Sequence, residues 1–354
     1  MRQIKLAGGR ALGDGQPCLL IAEAGVNHNG NLDMALKLVD VAADAGADAV
    51  KFQTFKAEHI ITRSAPKAQY HVETTGGDST QSWFDLLKSQ ELTPDMHRAL
   101  IRRCVERGIL FMSTPYDFES VDLLDDLDVA LYKVASTDLD NVALLDHMAR
   151  KKRPIILSTA MSTLEEVKAS VTVIKKHVDD LLVMQCTGDY PAPPQDANLR
   201  AMATIGRECE VLTGYSDHVM NSAVTFGAIA LGAKAYEKHF TLGRWLPGPD
   251  HRASIDPEQL ARLVSDIRTV EIALGDGIKR VMPSEEKNRG RLRKSLLAAR
   301  DLPAGTVLSA TDIVVKRAGG EGLAAGRYFE TVGMCLNRAL RVEEAIGADA
   351  LEGQ

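Results

Sequence analysis

Long apolar runs, paired cysteines and a surplus of positive charge are all missing from this 354-residue chain, and each absence removes a class of protein. No uninterrupted hydrophobic stretch approaches the roughly 18 residues of a membrane-spanning helix, so no membrane partner is expected. The N-terminal stretch MRQIKLAGGRALGDG carries no apolar core of the secretory type, so no signal peptide is expected. Cys18, Cys104, Cys186, Cys209 and Cys335 are scattered, odd in number and without a Cys-x-x-Cys pair. Free thiols in a reducing cytoplasm explain them better than disulfides or a zinc site, so the location expected is cytoplasmic. The formal net charge of −6 leaves no electrostatic footprint for nucleic acid, although local cations can still hold a small anion. What remains, 45% hydrophobic and 25% charged, is the composition of a globular chain able to bury a large core.

Between residues 18 and 275, short β-rich runs alternate with amphipathic helical stretches. The runs are LLIAEAG (19–25), DAVKFQT (48–54), ILFMST (109–114), ALYKVAS (130–136), IILSTA (155–160), LLVMQC (181–186), VLTGYS (211–216) and KAYEKHF (234–240). In LDMALKLVDVAADAG (32–46) and TPDMHRALIRRCVERG (93–108), apolar residues recur at three- and four-residue steps and glycine closes the pattern. Thr93 and Pro94 open the second helix as an N-cap followed by proline at the first helical position. Eight strand–helix units predict an α/β fold, an eight-stranded (β/α) TIM barrel. A doubly wound sheet is the alternative, and no Gly-x-Gly-x-x-Gly follows the first strand to support it.

The expected domains are a barrel over residues 1–280, a charged linker over 281–294 and a small β-rich unit over 295–354. In the last, SLLAARDLPAGTVL (295–308) reads as two strands around a Pro-Ala-Gly turn, with another strand near ALRV (339–342). Residues 55–92 make a βα connection far longer than usual, and KAQYHVETTGGDSTQSWFDLLKS (67–89) within it is expected to shape the substrate pocket.

Strand C-termini of such a barrel face one mouth. Those ends carry Glu23, Lys51, Gln53, Ser113, Thr114, Lys133, Ser136, Ser158, Thr159, Gln185, Ser216, His218, Glu237 and His239. Two lysines with several hydroxyls suit an anionic ligand. Schiff-base chemistry at Lys51 or Lys133 and structural ion pairing with a barrel glutamate remain open alternatives. His218 and His239 end neighbouring strands, and with Asp217, Glu237 or Asp250 nearby they suit a divalent ion with open water positions. Glu23 ends the first strand, which closure brings beside the eighth.

At these residues the chain resembles the sialic acid synthase family over nearly its whole length. The matching pieces are IAEAGVNHNG (21–30), AVKFQT (49–54), STPYD (113–117), YKVAS (132–136), ILSTAM (156–161), CTGDYP (186–191), GYSDH (214–218), EKHFT (237–241) and GPDH (248–251). SLLAARDLPAGTVL (295–308) and KRAGG (316–320) resemble the family's antifreeze-like (SAF, β-clip) domain. The resemblance implies condensation of phosphoenolpyruvate with an N-acylated mannose-type aldohexose, giving a nine-carbon 2-keto acid and phosphate. The product would be N-acetylneuraminate or N,N'-diacetyllegionaminate. It implies that Lys51, Thr114, Lys133, Ser136, Ser158, Tyr190 and Ser216 hold phosphoenolpyruvate, with both lysines in catalytic roles. His218 and His239 would ligate Mn2+ or Mg2+, while Glu23, Gln53, Asp138 and Asp250 contact the sugar, bound water or developing charge. Arg317 would reach the sugar's N-acyl group of a partner subunit, which implies a domain-swapped homodimer. Asp138 stands where many members carry glutamate, Gly188 where asparagine is common, and KRAGGEGL (316–323) replaces a shorter Arg-Pro-Gly-x-Gly pattern. The long loop looks more like those of legionaminate-type members. The alternatives are another phosphoenolpyruvate-condensing ulosonate synthase and a catalytically inactive carbohydrate-binding protein.

Overall fold

The eight apolar runs become eight parallel strands: β3 (Leu19–Gly25), β4 (Ala49–Thr54), β5 (Leu110–Pro115), β6 (Tyr132–Val134), β7 (Ile155–Ser158), β8 (Leu181–Cys186), β9 (Leu212–Asp217) and β10 (Ala235–His239). They follow a short antiparallel hairpin of β1 (Gln3–Lys5) and β2 (Ala11–Gly13). These come from a computed structural model that describes residues 2–6, 9–66 and 82–352. It divides into two units, residues 1–275 and 276–354.

In the first unit the hydrogen-bonded order is β5-β4-β3-β10-β9-β8-β7-β6. The first barrel strand therefore pairs with the last, with His239 opposite Glu23. β5 and β6 lie side by side without ladder bonds, so the ring is nearly closed at that seam. This is the TIM-like barrel that the alternating pattern predicts. Every residue of β3 is buried, because helices cover the outer face and side chains fill the interior. The helices start where local chemistry dictates. Thr93 accepts from the Met96 N–H ahead of Pro94–Arg107, and left-handed Gly108 ends that helix. Thr163 and Asp256 open Leu164–Lys175 and Pro257–Leu274 with reciprocal capping boxes.

The core has two layers. A larger one, including Leu38, Leu100, Val121, Leu145 and Ile174, lies between strands and helices. A smaller one fills the barrel floor with Ile21, Ala49, Met112, Leu131, Ile156, Met184, Leu212 and Ala235. Ile4, Leu6 and Leu12 of the hairpin segment join that floor. Sequence reading assigns no element there, because each strand is only three residues long.

The second unit has its own core around Leu296, Leu308, Ile313, Leu336 and Ile346. Its main ladder joins β11 (Lys294–Ala298) to β12 (Ile313–Arg317), antiparallel. The expected fold-back within 295–308 does not form. Leu302 instead bridges Leu340, and Val307 bridges Cys335. Pro303 offers no N–H to a continuing ladder, and the ALRV segment is reduced to that single bridge at Leu340. The stretch read as linker contains a short helix, Glu286–Leu292. All five cysteines are free, and no helix among the described residues is long and apolar enough to cross a membrane.

Candidate functional site

A β-strand turns alternate side chains to opposite faces, so the floor residues mark which strand-end positions look into the barrel. Two residues beyond Ile21, Ala49, Met112, Leu131, Ile156, Met184 and Ala235 stand Glu23, Lys51, Thr114, Lys133, Ser158, Cys186 and Glu237. Each lines one cavity of about 680 Å³ at the barrel mouth, together with Ser216, His218 and His239. Gln53, Ser136, Asp138, Tyr190 and Asp250 line it as well. The site residues that the family resemblance implies in the first unit thus all line one cavity. Arg317 belongs to the second unit, where it ends β12 opposite Lys294 and is exposed.

The same pleat excludes other strand-end candidates. Ser113 bonds Thr54, which also reaches His97. Thr159 donates to the Met184 carbonyl, and Gln185 donates to the Ala197 carbonyl. Asp217, weighed as a metal ligand, accepts from Thr225 and Tyr236. These residues are one step out of phase with the floor, so being polar at a strand end is not sufficient.

Lys51 and Lys133 sit in a buried charge network. Lys51 Nζ lies 3.0 Å from Glu23 and 3.5 Å from Glu237, and donates to Thr114 Oγ1 at 3.1 Å. Lys133 Nζ donates to Ser158 Oγ at 2.6 Å and lies 3.9 Å from Glu237. Ser216 donates to Glu237 Oε1, the oxygen that Lys133 approaches, while Lys51 faces Oε2. Burial pushes the Glu23 carboxyl up, with Lys51 only partly opposing it. Burial also acts against ionisation of Glu237, but Lys133 and Lys51 outweigh it and hold that carboxyl low. Burial opposes the Lys51 charge too, yet Glu23 and Glu237 prevail and raise its ammonium. For Lys133 burial prevails, and its ammonium is lowered. One carboxyl able to carry a proton thus stands beside one kept ionised, the separation used in acid–base sites.

His218 and His239 face each other with ring centroids 5.4 Å apart. Tyr190 packs on His218 at 4.0 Å and edge-on to His239 at 5.5 Å. His218 Nδ1 is 2.6 Å from the Thr187 carbonyl. A carbonyl only accepts, so Nδ1 carries a proton and Nε2 is the nitrogen left for a metal. Burial opposes charge on this ring, but Cys186 and the Thr187 carbonyl prevail and raise it. His239 Nδ1 is buried without a hydrogen-bond partner, and 3.7 Å from it stands Asp250 Oδ2. Burial and His218 hold His239 well below the ordinary imidazole value, which keeps it neutral. A neutral imidazole with an orphaned nitrogen, beside a second that a metal would reach by displacing a proton, fits a borderline divalent ion. Among the described residues no third His, Cys, Asp or Glu completes a ready-made ligand set, so remaining positions would fall to water or substrate.

Asp250 is held from below. Asn27 donates to the Phe240 carbonyl at 2.8 Å and to Ser254 Oγ at 3.0 Å, and Ser254 in turn donates to the Asp250 carbonyl. Burial pushes the Asp250 carboxyl up to about 6, against His218 and Lys51. Gly25, with φ of +52°, occupies the junction: a Cβ there would lie 3.3 Å from Glu23 and 3.5 Å from Asp250 and Gln53. Asp138 closes a 3-10 turn, Ser136–Asp138, and accepts from Asn141 at 3.0 Å while burial raises its carboxyl. Ser136 Oγ accepts from the Ala160 N–H. Sequence reasoning did not single out Gly25 or Asn27. They stand at the end of β3 and just after it, where the step from Glu23 to Gly25 breaks the ladder register.

The long connection contributes its two ends to the cavity, with Phe55, Ile60, Trp83 and Leu86 among the lining residues. Its KAQY and TTGGDSTQ portion, residues 67–81, lies outside the described residues.

Fold and cavity together define a β/α barrel that gathers cations, hydroxyls and imidazoles at its C-terminal mouth. Residues 38–279 match the NeuB family and residues 293–352 match the SAF domain, so the chain belongs to the NeuB family. It is 41% identical to N,N'-diacetyllegionaminic acid synthase of Campylobacter jejuni over 331 residues, covering 93% of this chain and 98% of that relative. It is 34% identical to human N-acetylneuraminate-9-phosphate synthase over 332 residues, covering 94% and 92%. Among solved structures, the N-acetylneuraminic acid (sialic acid) synthetase of Leptospira borgpetersenii in complex with citrate superposes with a TM-score of 0.70. The identity there is 33%, over 81% of this chain and 95% of the other.

Proposed function

We propose that this chain condenses phosphoenolpyruvate with an N-acylated mannose-type aldose and water, yielding a nine-carbon 2-keto acid and inorganic phosphate. The observation that carries it is the inward layer of Lys51, Lys133, Thr114, Ser158 and Ser216 directly above the apolar floor, with His218 and His239 on its rim. Synthases of sialic and legionaminic acids among the relatives supply the substrate class.

Lys51 and Lys133 take the phosphate and carboxylate as fixed cations, and Thr114, Ser136, Ser158 and Ser216 complete the hydrogen bonds. Tyr190 packs over the anion beside His218. His218 and His239 would hold Mn2+ or Mg2+, which supplies Lewis-acid polarisation of the aldehyde when bound. Glu23, Gln53 and Asp250 orient the aldose, and Asp138 lines the same wall. The new bond joins C3 of the enol phosphate to the aldehyde carbon. Glu23, raised by burial, is placed to manage the proton of the forming hydroxyl. Ionised Glu237 stabilises positive charge at C2 while water adds there, and phosphate departs as the C2–O bond breaks. The lysines act as charges and form no imine. The SAF unit of a partner subunit brings Arg317 to the N-acyl group in a domain-swapped homodimer, and the enzyme works in the cytoplasm.

The test is incubation with phosphoenolpyruvate, Mn2+ and either N-acetylmannosamine or its 2,4-diacetamido-6-deoxy counterpart. Sugar-dependent phosphate release supports the reading, and none with either sugar overturns it.

A further inference from the structure

Just behind the two imidazoles, on the outer face of the barrel, lies a charged cluster in a mainly apolar layer. Asp217 and Lys238 are opposed at the last rung of the β9–β10 ladder and are both buried. Lys238 Nζ lies 3.3 Å from Asp217 Oδ2. The next residue on each strand is an imidazole, turned inward by the pleat: His218 after Asp217 and His239 after Lys238. His218 stands beyond the ladder's end, so pairing with β10 no longer holds it. The ion pair grips the two peptide groups that flank Val219 instead. Asp217 Oδ1 accepts the Val219 N–H at 2.8 Å, and Lys238 Nζ donates to the Val219 carbonyl. Tyr236 and Thr225 donate to Asp217 Oδ2 at 2.7 and 2.9 Å, which fixes the carboxylate itself.

We infer that Asp217 and Lys238 are positioning residues that clamp Val219 and thereby set the direction of His218 Nε2 relative to His239. This rests on the metal reading proposed above. An ion pair buried in an apolar layer carries a desolvation cost that a packed hydrophobic pair avoids, so stability alone does not account for it. Orientation does, because the clamp holds the backbone on the far side of His218 from its own strand. Thr187 supplies the complementary restraint at Nδ1.

Two variants test the clamp: Lys238→Met, and the double Asp217→Asn/Lys238→Met, which leaves no unpaired charge. In Lys238→Met the carboxylate keeps its bonds from Tyr236, Thr225 and Val219, so the fold retains support. Metal-free protein is titrated with Mn2+, the free ion being read by electron paramagnetic resonance. The dissociation constant is expected to rise about 10- to 100-fold, as for groups that orient metal ligands. In metal-free, 15N-histidine-labelled protein, the His218 signals should shift from a single Nδ1–H tautomer towards a mixture. Wild-type affinity and tautomer in a folded variant overturn the inference. A wild type that binds no Mn2+ instead overturns the metal reading, while the tautomer measurement still decides on the clamp.

Discussion

Replacing Lys51 by methionine separates substrate binding from scaffold more cleanly than any other single change in the cavity. At an effective dielectric near 20, the gross attraction of Lys51 to Glu23 at 3.0 Å is about 5 kcal/mol. Breaking a buried pair commonly costs about 3–5 kcal/mol, because a charge is left unpaired. Two features reduce the cost here. Burial already raises Glu23, which can take a proton, and Lys133 stays 3.9 Å from Glu237. The expected stability loss is therefore about 1–2 kcal/mol, and the variant remains folded. The substrate loses a charge-assisted donor worth about 1.5–3 kcal/mol, so kcat/KM should fall about 10- to 150-fold. Because that donor meets the anion before any bond changes, the loss should lie mainly in KM for phosphoenolpyruvate, with KM for the sugar little moved. Initial-rate phosphate release with each substrate varied, alongside urea unfolding, measures all of this. A folded variant with unchanged KM for phosphoenolpyruvate refutes the anion-binding role of Lys51.

His28 is buried, and burial with His97 and His251 lowers its imidazole to about 4. Its Nδ1 accepts the Gly30 N–H, which suits the neutral ring. The unfolded chain binds the extra proton between the ordinary value near 6.5 and about 4, so stability is full above that window and falls with acid, at up to about 1.4 kcal/mol per pH unit. His28→Gln should flatten urea-unfolding stability between pH 6.5 and 4.5, and an unchanged slope contradicts this. Gly25→Ala places a Cβ at a left-handed φ, costing about 1–2 kcal/mol, and crowds Glu23. Turnover should drop more than stability does; wild-type kinetics would show that this junction is not tight. Mixing Lys51→Met and Arg317→Ala subunits, each strongly impaired alone at low phosphoenolpyruvate, should restore about one quarter of wild-type activity under those conditions if Arg317 serves a partner's cavity, whereas action within one subunit restores none.

The barrel was legible because strands buried on both faces read as unbroken apolar runs, and capped helices such as Pro94–Arg107 punctuate them. Closure, with Glu23 beside His239, also followed from eight units in a ring. Pleat phase was the weak point. Ser113, Thr159, Gln185 and Asp217 stand at strand ends as Lys51 does, yet only the two-residue step from the apolar floor separates them from inward positions. The hairpin β1–β2 and the bridges at Leu302 and Val307 escaped for another reason: their pairing is set by long-range partners across very short segments. Glu237 was visible as an acid, but its place between both lysines depends on strand neighbours distant in sequence.

Condensation with C–O cleavage is most directly tested with phosphoenolpyruvate carrying 18O in the oxygen that bridges carbon and phosphorus, supplied with Mn2+ and the N-acylated aldose. Mass spectrometry should find phosphate and a nine-carbon 2-keto acid in equal amounts, with the 18O entirely in the phosphate. Labelled oxygen in the organic product, or phosphate formed without the 2-keto acid, would contradict the account.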